Sequence, residues 1–258
     1  MKIGLTTYSF DNKDFREQLS SMLKSGIKPD FIILHYGGIY KSLKGFNFLK
    51  KTLKQRKFRS ISFILSYGKN ITAPDSGYKL NEEDSKEVDR FISSAKVVHA
   101  VDINDASSIH TISLIGEALI VSNSGKLNSR VLETPNVIFL NVHASKLPDY
   151  RGMNNVEWAL WENNEIYATI HRISKGIDEG DILLQEKIET EKSNLKTISE
   201  YREYCFFKSN ELMGKAIRGY LDKKIFFNKQ DVAATPLVQY YSMHPILKGY
   251  LNQKISGS

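Results

Sequence analysis

Val137-Ile138-Phe139-Leu140-Asn141-Val142-His143-Ala144-Ser145-Lys146-Leu147-Pro148 is the stretch on which the reading of this chain turns. Its first four residues are apolar and mostly β-favouring, and Pro135-Asn136 bounds them upstream, so they read as a buried strand. Side chains alternate along a strand, which sends Asn141 and His143 to one face, two residues apart. Leu147-Pro148 then ends the strand and begins a loop. The carboxyl end of a strand is where open α/β sheets build their sites, and an amide beside an imidazole suits a reaction in which negative charge develops on a carbonyl oxygen.

Upstream, strand and helix alternate. Apolar runs predict strands over 2–7, 29–35, 60–65, 96–101 and 118–121. Helical patterns lie between them, at about 14–25, from beyond Gly37-Gly38 to about 57, at 82–95, and from the Asp102-Ile103-Asn104-Asp105 cap to about 115. This alternation argues for βαβ units, and hence for an α/β protein with a mainly parallel sheet. The turn at 6–11 carries no G-x-G-x-x-G, which argues against a dinucleotide site; its hydroxyls either cap the first helix or meet an acceptor phosphate. The segment 66–78, with Gly68, Pro74 and Gly77, reads as a surface loop near the substrate.

Downstream, a helix over 155–163 carries Trp158 and Trp161, read as core packing with Trp158 also a candidate ligand contact. Segments 166–173 and 182–188 alternate as an antiparallel pair of strands. A long helix is expected over 194–221, with Thr197 and Glu200 at capping-box spacing. Segment 238–243 is either a further strand or part of a homodimer contact. The expected division is a main unit over 1–190 and a smaller C-terminal helix and tail over 191–258.

Hydrophobic residues at 41% and charged residues at 25% place the chain among globular proteins and exclude a disordered one. No apolar run approaches the roughly 20 residues of a spanning helix, and no secretory h-region follows Met1, so no membrane contact is expected and the expected location is the cytoplasm. The net charge of +7 favours anionic partners without choosing among nucleotide, folate and nucleic acid. The basic run at 50–57 reads as a solvated helix face, with RNA as the alternative. Cys205, the single cysteine, reads as a packed thiol, and the His, Asp and Cys spacings suggest no metal site.

A carboxylate completes the central pair. Asp178 lies 35 residues beyond His143 in Gly176-Ile177-Asp178-Glu179-Gly180, where flanking glycines permit a tight bend. N-x-H at a strand end followed by a G-x-D-x-G loop resembles the N-formyltransferases that use 10-formyltetrahydrofolate. The resemblance covers roughly 95–190 and includes Leu147-Pro148, Tyr150-Arg151-Gly152, Trp158-Ala159, Thr169-Ile170-His171 and Gly180-Asp181-Ile182. It implies a Rossmann-like formyltransferase core with a small C-terminal appendage, with Asn141, His143 and Asp178 as the catalytic trio. Asn141 and His143 would stabilise the oxyanion. Asp178 would favour cationic imidazole and take the proton lost by the attacking amine.

The resemblance further implies a folate site on the peptide groups of Val121, Ser122, Asn123 and Ser124, where a simple helix-capping turn is the other reading. Tyr150, Arg151 and His171 are secondary candidates for substrate contact. Arg151 either reaches a phosphate or fixes its loop, and His171 reads more readily as a hydrogen-bonded structural residue. The pattern His143-x-x-x-Leu147-Pro148-x-Tyr150-Arg151-Gly152 followed by Trp158-Ala159 is similar to enzymes that formylate the amine of a nucleotide-linked deoxyamino sugar for bacterial surface polysaccharide. The alternatives are a methionyl-tRNA formyltransferase-like enzyme, whose tRNA-holding C-terminal barrel has little room in the 70 residues after Ile188, and a non-catalytic binder of folate or nucleotide sugar.

Overall fold

Two cores, one on each face of a sheet, follow directly from the strand patterns. Ile3, Leu5, Ile32, Leu119, Val121 and Leu140 point to one side. Phe31, Ile33, Ala118, Ile120, Val137 and Phe139 point to the other. Runs apolar at consecutive positions are what a strand covered on both faces requires.

The structure is a computed structural model that describes residues 1–35, 79–191, 193–231 and 239–256. Its strands are β1 (Lys2–Thr7), β2 (Phe31–His35), β3 (Val97–Ala100), β4 (Ala118–Ser122), β5 (Val137–His143), β6 (Arg151–Gly152), β7 (Tyr167–Arg172), β8 (Ile182–Lys187) and β9 (Gln239–Tyr240). Its helices are α1 (Lys13–Lys24), α2 (Glu82–Ser94), α3 (Ala106–Ser113), α4 (Ser129–Leu132), α5 (Asn155–Trp161), α6 (Ile198–Leu221) and α7 (Pro245–Ser256). The main sheet runs β3-β2-β1-β4-β5-β7-β8. Its first five strands are parallel, while β7 and β8 add antiparallel at the β5 edge. This is the expected mainly parallel α/β core. The expected strand at 60–65, the helix ending near 57 with its basic run, Gly37-Gly38 and the loop 66–78 lie outside the described residues.

Strand order reverses between β1 and β4, because β2 and β3 lie on one side of β1 and β4 and β5 on the other. Peptide planes diverge beyond that reversal and leave a crevice at the carboxyl ends of the strands. Thr6 and Thr7 from β1 and the residues after Ser122 from β4 border it.

Helix α1 is capped by Asn12, whose side chain accepts from Phe15 N, not by the hydroxyls at 6–9. Thr7 Oγ1 instead donates to the Ser9 carbonyl within its own turn. Helix α6 starts at Ile198, later than the periodicity suggests, because the Thr197–Glu200 capping box fixes its first turn. It crosses α1 closely: a Cβ on Gly214 would fall on the Ser21 carbonyl oxygen. That approach lets Met213, Ala216 and Ile217 join the first core, so α6 shares the core of the sheet. Cys205 is fully buried in a third apolar cluster with Ala144, Tyr150 and Ala168, and burial pushes its thiol up to about 12. Glu157 on α5, also fully buried, accepts from Arg202 of α6 at 2.8 Å and lies 3.2 Å from Lys248 of α7, joining three helices at one carboxylate. Among the described residues no helix is long and apolar enough to cross a membrane.

Between α1 and α6 lies a chain of side-chain amides. Gln18 Nε2 donates to Asn210 Oδ1 at 2.8 Å, and Asn210 Nδ2 donates to Asp14 Oδ1 at 3.0 Å and to Glu17 Oε2 at 2.8 Å. Burial raises Glu17 from 4.5 to about 7, against the lowering effect of Asn210. Folding therefore takes up a proton between those values: the stability tied to this proton is fully present below about 4.5 and is lost as pH rises through about 7. Glu17→Gln keeps an acceptor for Asn210 and removes the titration. Its thermal midpoint should fall less than that of the parent between pH 5 and pH 8, as followed by circular dichroism.

Candidate active site

Register brings the site together. In the antiparallel pairing of β5 with β7, Asn141 lies opposite His171 and His143 opposite Thr169. Residues opposite one another in such a pair share a face, and Asn141 Nδ2 lies 3.2 Å from His171 Nε2. Between Ile170 and His171 the pairing of β7 with β8 slips by a residue, which leaves Leu183 unmatched on β8. Bulges of this kind re-aim the side chains beside them.

The loop between β7 and β8 supplies the carboxylate. Asp178 adopts a left-handed backbone, φ 55°, a region that aspartate tolerates better than most residues. Gly180 must be glycine, since a Cβ there would fall on the Arg172 carbonyl oxygen. Gln230 Nε2 holds the loop from outside, donating to the carbonyls of Asp178 and Gly180 at 3.0 and 2.5 Å. The carboxylate then faces both imidazoles: Oδ2 is 3.8 Å from His143 Nδ1 and Oδ1 is 3.7 Å from His171 Nε2. The Gly152 N–H also donates to Oδ2 at 2.9 Å.

The outer nitrogens set the tautomers, because a carbonyl oxygen only accepts. His171 Nδ1 donates to the Arg172 carbonyl at 2.9 Å, which leaves Nε2 as a lone pair that accepts from Asn141. Burial, with the neighbouring His143 second and against the opposing pull of Asp178, lowers the pKa of His171 from 6.5 to about 4, so His171 is neutral near pH 7. His143 Nε2 lies 2.8 Å from the Tyr150 carbonyl, to which it donates; Ser145 Oγ donates to the same oxygen at 2.8 Å. His143 Nδ1 is therefore the nitrogen turned toward Asp178.

Asn155 was not legible as a site residue, since it reads simply as a helix start. Its neighbour Asn154 takes a left-handed turn, φ 55°, and its side-chain oxygen accepts from the Met243 N–H. That turn directs Asn155 inward, where Nδ2 lies 3.0 Å from His143 Nε2 and 3.0 Å from the Gly152 carbonyl. Its Oδ1 is buried without a partner among the described residues. Thr169 Oγ1 and Gln185 Nε2 brace the preceding loop through the carbonyls of Ser145 and Leu147, at 2.6 and 3.0 Å.

Two secondary candidates are turned inward. Arg151 is 3% exposed and its Nη1 donates to Glu179 Oε1 at 3.1 Å, tying β6 to the Asp178 loop, while its Nε is buried without a partner among the described residues. Tyr150 is 4% exposed, with its hydroxyl donating to Glu162 at 2.5 Å and its ring stacked on Tyr240 at 5.1 Å, so its side chain supports β9. Trp158 donates to the Tyr241 carbonyl at 2.8 Å and packs on Tyr240.

The segment expected to hold a flat heterocycle borders the crevice. Val121 lies inside the sheet between Leu5 and Leu140, and Ser122 pairs with Thr6. Asn123 N donates to Thr6 Oγ1 at 3.0 Å, Ser124 Oγ donates to the same oxygen, and Asn123 Nδ2 donates to Gln18 Oε1 at 2.8 Å. The alternative of a helix-capping turn fails here, because Asn128 caps α4. Thr6, whose hydroxyl was expected to cap α1 or meet a phosphate, and Gln18, which sequence patterns did not single out, thus hold this segment in place.

A carboxylate, two imidazoles and an amide thus gather at a strand end beside the switch-point crevice of this α/β core. The formyl transferase family model matches residues 69–216, more than half of the chain, and the chain belongs to that family. Among its relatives, the methionyl-tRNA formyltransferase of Prochlorococcus marinus (strain MIT 9215) is 37% identical over 116 residues, 44% of this chain and 34% of that protein. That of Thermodesulfovibrio yellowstonii is 34% identical over 143 residues, 52% of this chain and 41% of that protein. The matches thus span well under half the length of these relatives. Similar folds include a sugar N-formyltransferase from Shewanella, with TM-score 0.53, 12% identity and coverage of 99% of this chain and 87% of that one. An N-formyltransferase from Helicobacter canadensis in complex with folinic acid and dTDP-3-aminofucose has TM-score 0.54, 14% identity and coverage of 99% and 80%.

The tautomer assignment is open to direct measurement. In ¹⁵N-edited NMR spectra, His171 should show the Nδ1–H form throughout pH 6 to 8 and take up a proton only near pH 4. A charged His171 at pH 6 would overturn the assignment.

Proposed function

We propose that this chain transfers a formyl group from 10-formyltetrahydrofolate to the primary amine of a nucleotide-linked deoxyamino sugar. The observation that carries the reading is the convergence of Asn141, His143 and Asp178 beside the β1/β4 crevice. Asn141 has one amide N–H beyond the one that faces His171, and His143 Nδ1, when protonated, presents a second donor to the same space. Two donors fixed by packing stabilise negative charge on the formyl oxygen as the amine adds to the formyl carbon. Asp178 accepts the proton released by the amine, directly or through water, and returns it by way of His143 to N10 of the folate as the carbon–N10 bond breaks. One carbon–nitrogen bond forms, one breaks, and the proton moves between the two nitrogens. Residues 121–124 face the crevice from β4 and are the proposed seat of the pterin ring.

The sugar reading draws support from the Leu147-Pro148-x-Tyr150-Arg151-Gly152 and Trp158-Ala159 pattern, and from the likeness to sugar N-formyltransferase folds along almost the whole chain. A second reading, transfer to initiator methionyl-tRNA, is favoured by the names of the relatives most similar in sequence and by the net charge of +7.

Purified protein would be given 10-formyltetrahydrofolate with a panel of amino-deoxy nucleotide sugars and, separately, charged initiator tRNA, and tetrahydrofolate release followed. Turnover on one sugar is the expected result. Loss of one oxyanion donor in Asn141→Ala should then lower kcat by about a hundredfold to a thousandfold, and His143→Ala should lower it at least as far. Turnover on tRNA alone would replace the acceptor. Folate binding with no turnover on any amine would overturn the transferase reading.

A further inference from the structure

Three acceptors converge at the centre of the site with no donor among them. His143 Nδ1, His171 Nε2 and the Asp178 carboxylate lie within 4.8 Å of one another. The two imidazole lone pairs flank opposite oxygens of one carboxylate at 3.8 and 3.7 Å. Such an arrangement lacks a positive charge at its middle.

We infer that His143, His171 and Asp178 form a three-ligand site for a zinc-class divalent cation, which takes the same side chains out of the transfer reaction. The strongest support is on the far side of each ring. Metal-binding histidines almost always donate their other N–H to a carbonyl or carboxylate, which fixes the tautomer and makes the ligating nitrogen more basic. Here His171 Nδ1 donates to the Arg172 carbonyl and His143 Nε2 to the Tyr150 carbonyl. The Gly152 N–H plays the corresponding part for Asp178.

Two nitrogens and one oxygen suit zinc or cobalt and disfavour magnesium and calcium, which prefer oxygen throughout. Tetrahedral zinc with bonds of about 2.0–2.2 Å sets its ligands roughly 3.3–3.5 Å apart; the two histidine–carboxylate distances exceed this by a few tenths of an ångström, and the ligand atoms as a set, within 4.8 Å of one another, must draw together by up to about 1.5 Å on binding. Asn141 must release His171 Nε2 on binding. Both histidines are buried, while the Asp178 side chain is 15% exposed and marks the side from which an ion enters, leaving the fourth position for water. The binding inference is independent of the acceptor; its inhibitory consequence rests on the proposed transfer.

The test titrates the metal-free protein with Co²⁺ and follows visible absorption, with Zn²⁺ as competitor. One cobalt per chain should bind with the intense d–d bands of a four- or five-coordinate ion, be displaced by equimolar Zn²⁺, and ignore millimolar Mg²⁺. His171→Asn and Asp178→Asn should each weaken binding by about a hundredfold or more, since even a lost outer partner costs about 10-fold to 100-fold. His110→Ala should leave binding unchanged. Circular dichroism of each variant separates lost ligation from lost folding, and if His171→Asn does not fold, Asp178→Asn decides alone. Weak octahedral bands, or binding unchanged in the folded trio variants, would overturn the site. In the transfer assay, Zn²⁺ should inhibit with the same midpoint as binding and chelator should reverse it. Binding without inhibition would overturn the inhibitory role and leave the metal site standing.

Discussion

Everything at this site depends on the register of β7 against β5. With the strands antiparallel, side-chain period 2 places Asn141 across from His171 on one face and leaves Leu140 and Ile170 for the core on the other. With β5 held by β4, a slip of β7 by one residue would send His171 into the first core and bring Ile170 to the crevice. The core thus sets the register, since the cost of burying a polar side chain among apolar ones disfavours the alternative. Packing and chemistry are specified by the same alternation.

A second constraint is electrostatic. The site gathers more acceptors than donors, and the fold answers with backbone groups whose direction does not vary: the Gly152 N–H on Asp178, and the Tyr150 and Arg172 carbonyls behind the two rings. Peptide groups held by strands and tight turns need no reorganisation when charge moves, which is what makes them effective around a developing anion. Side-chain amides do the corresponding work at the crevice. From Asn123 through Gln18 and Asn210 to Glu17, four side chains link the segment after β4 to the interior between α1 and α6. The sheet's switch point is therefore braced on both of its borders.

Strand and helix alternation, the end of β5, and the Asp178 loop were all legible in the sequence, because each rests on a local pattern: period 2, a cap, or a pair of glycines. The capping box of α6 was legible for the same reason. Partners that depend on long-range closure were not. Asn155 looks like any polar residue at a helix start until the left-handed Asn154 turns it toward His143. Glu179 beside Arg151 and Glu162 beside Tyr150 lie 28 and 12 residues further along the chain, so neither pairing shows as a local pattern. His143 and His171 lie 28 residues apart along the chain, yet pairing of β5 with β7 sets their ring centroids 6.0 Å apart.

The short pairing of β6 with β9 has a consequence for the order in which the protein matures. Arg151 and Gly152 lie against Gln239 and Tyr240, with Met153 N bonded to the Tyr240 carbonyl, and Gln230 grips the Asp178 loop. The chain that positions the carboxylate is thus separated from the segment that clamps it by dozens of residues of later sequence. As the polypeptide leaves the ribosome, the sheet from β1 to β8 can assemble while Gly152 and Asp178 still lack their clasp. Because residues 230–240 are synthesised after every strand of the main sheet, the clasp on Gly152 and Asp178 is the last part of the centre that the emerging chain can supply.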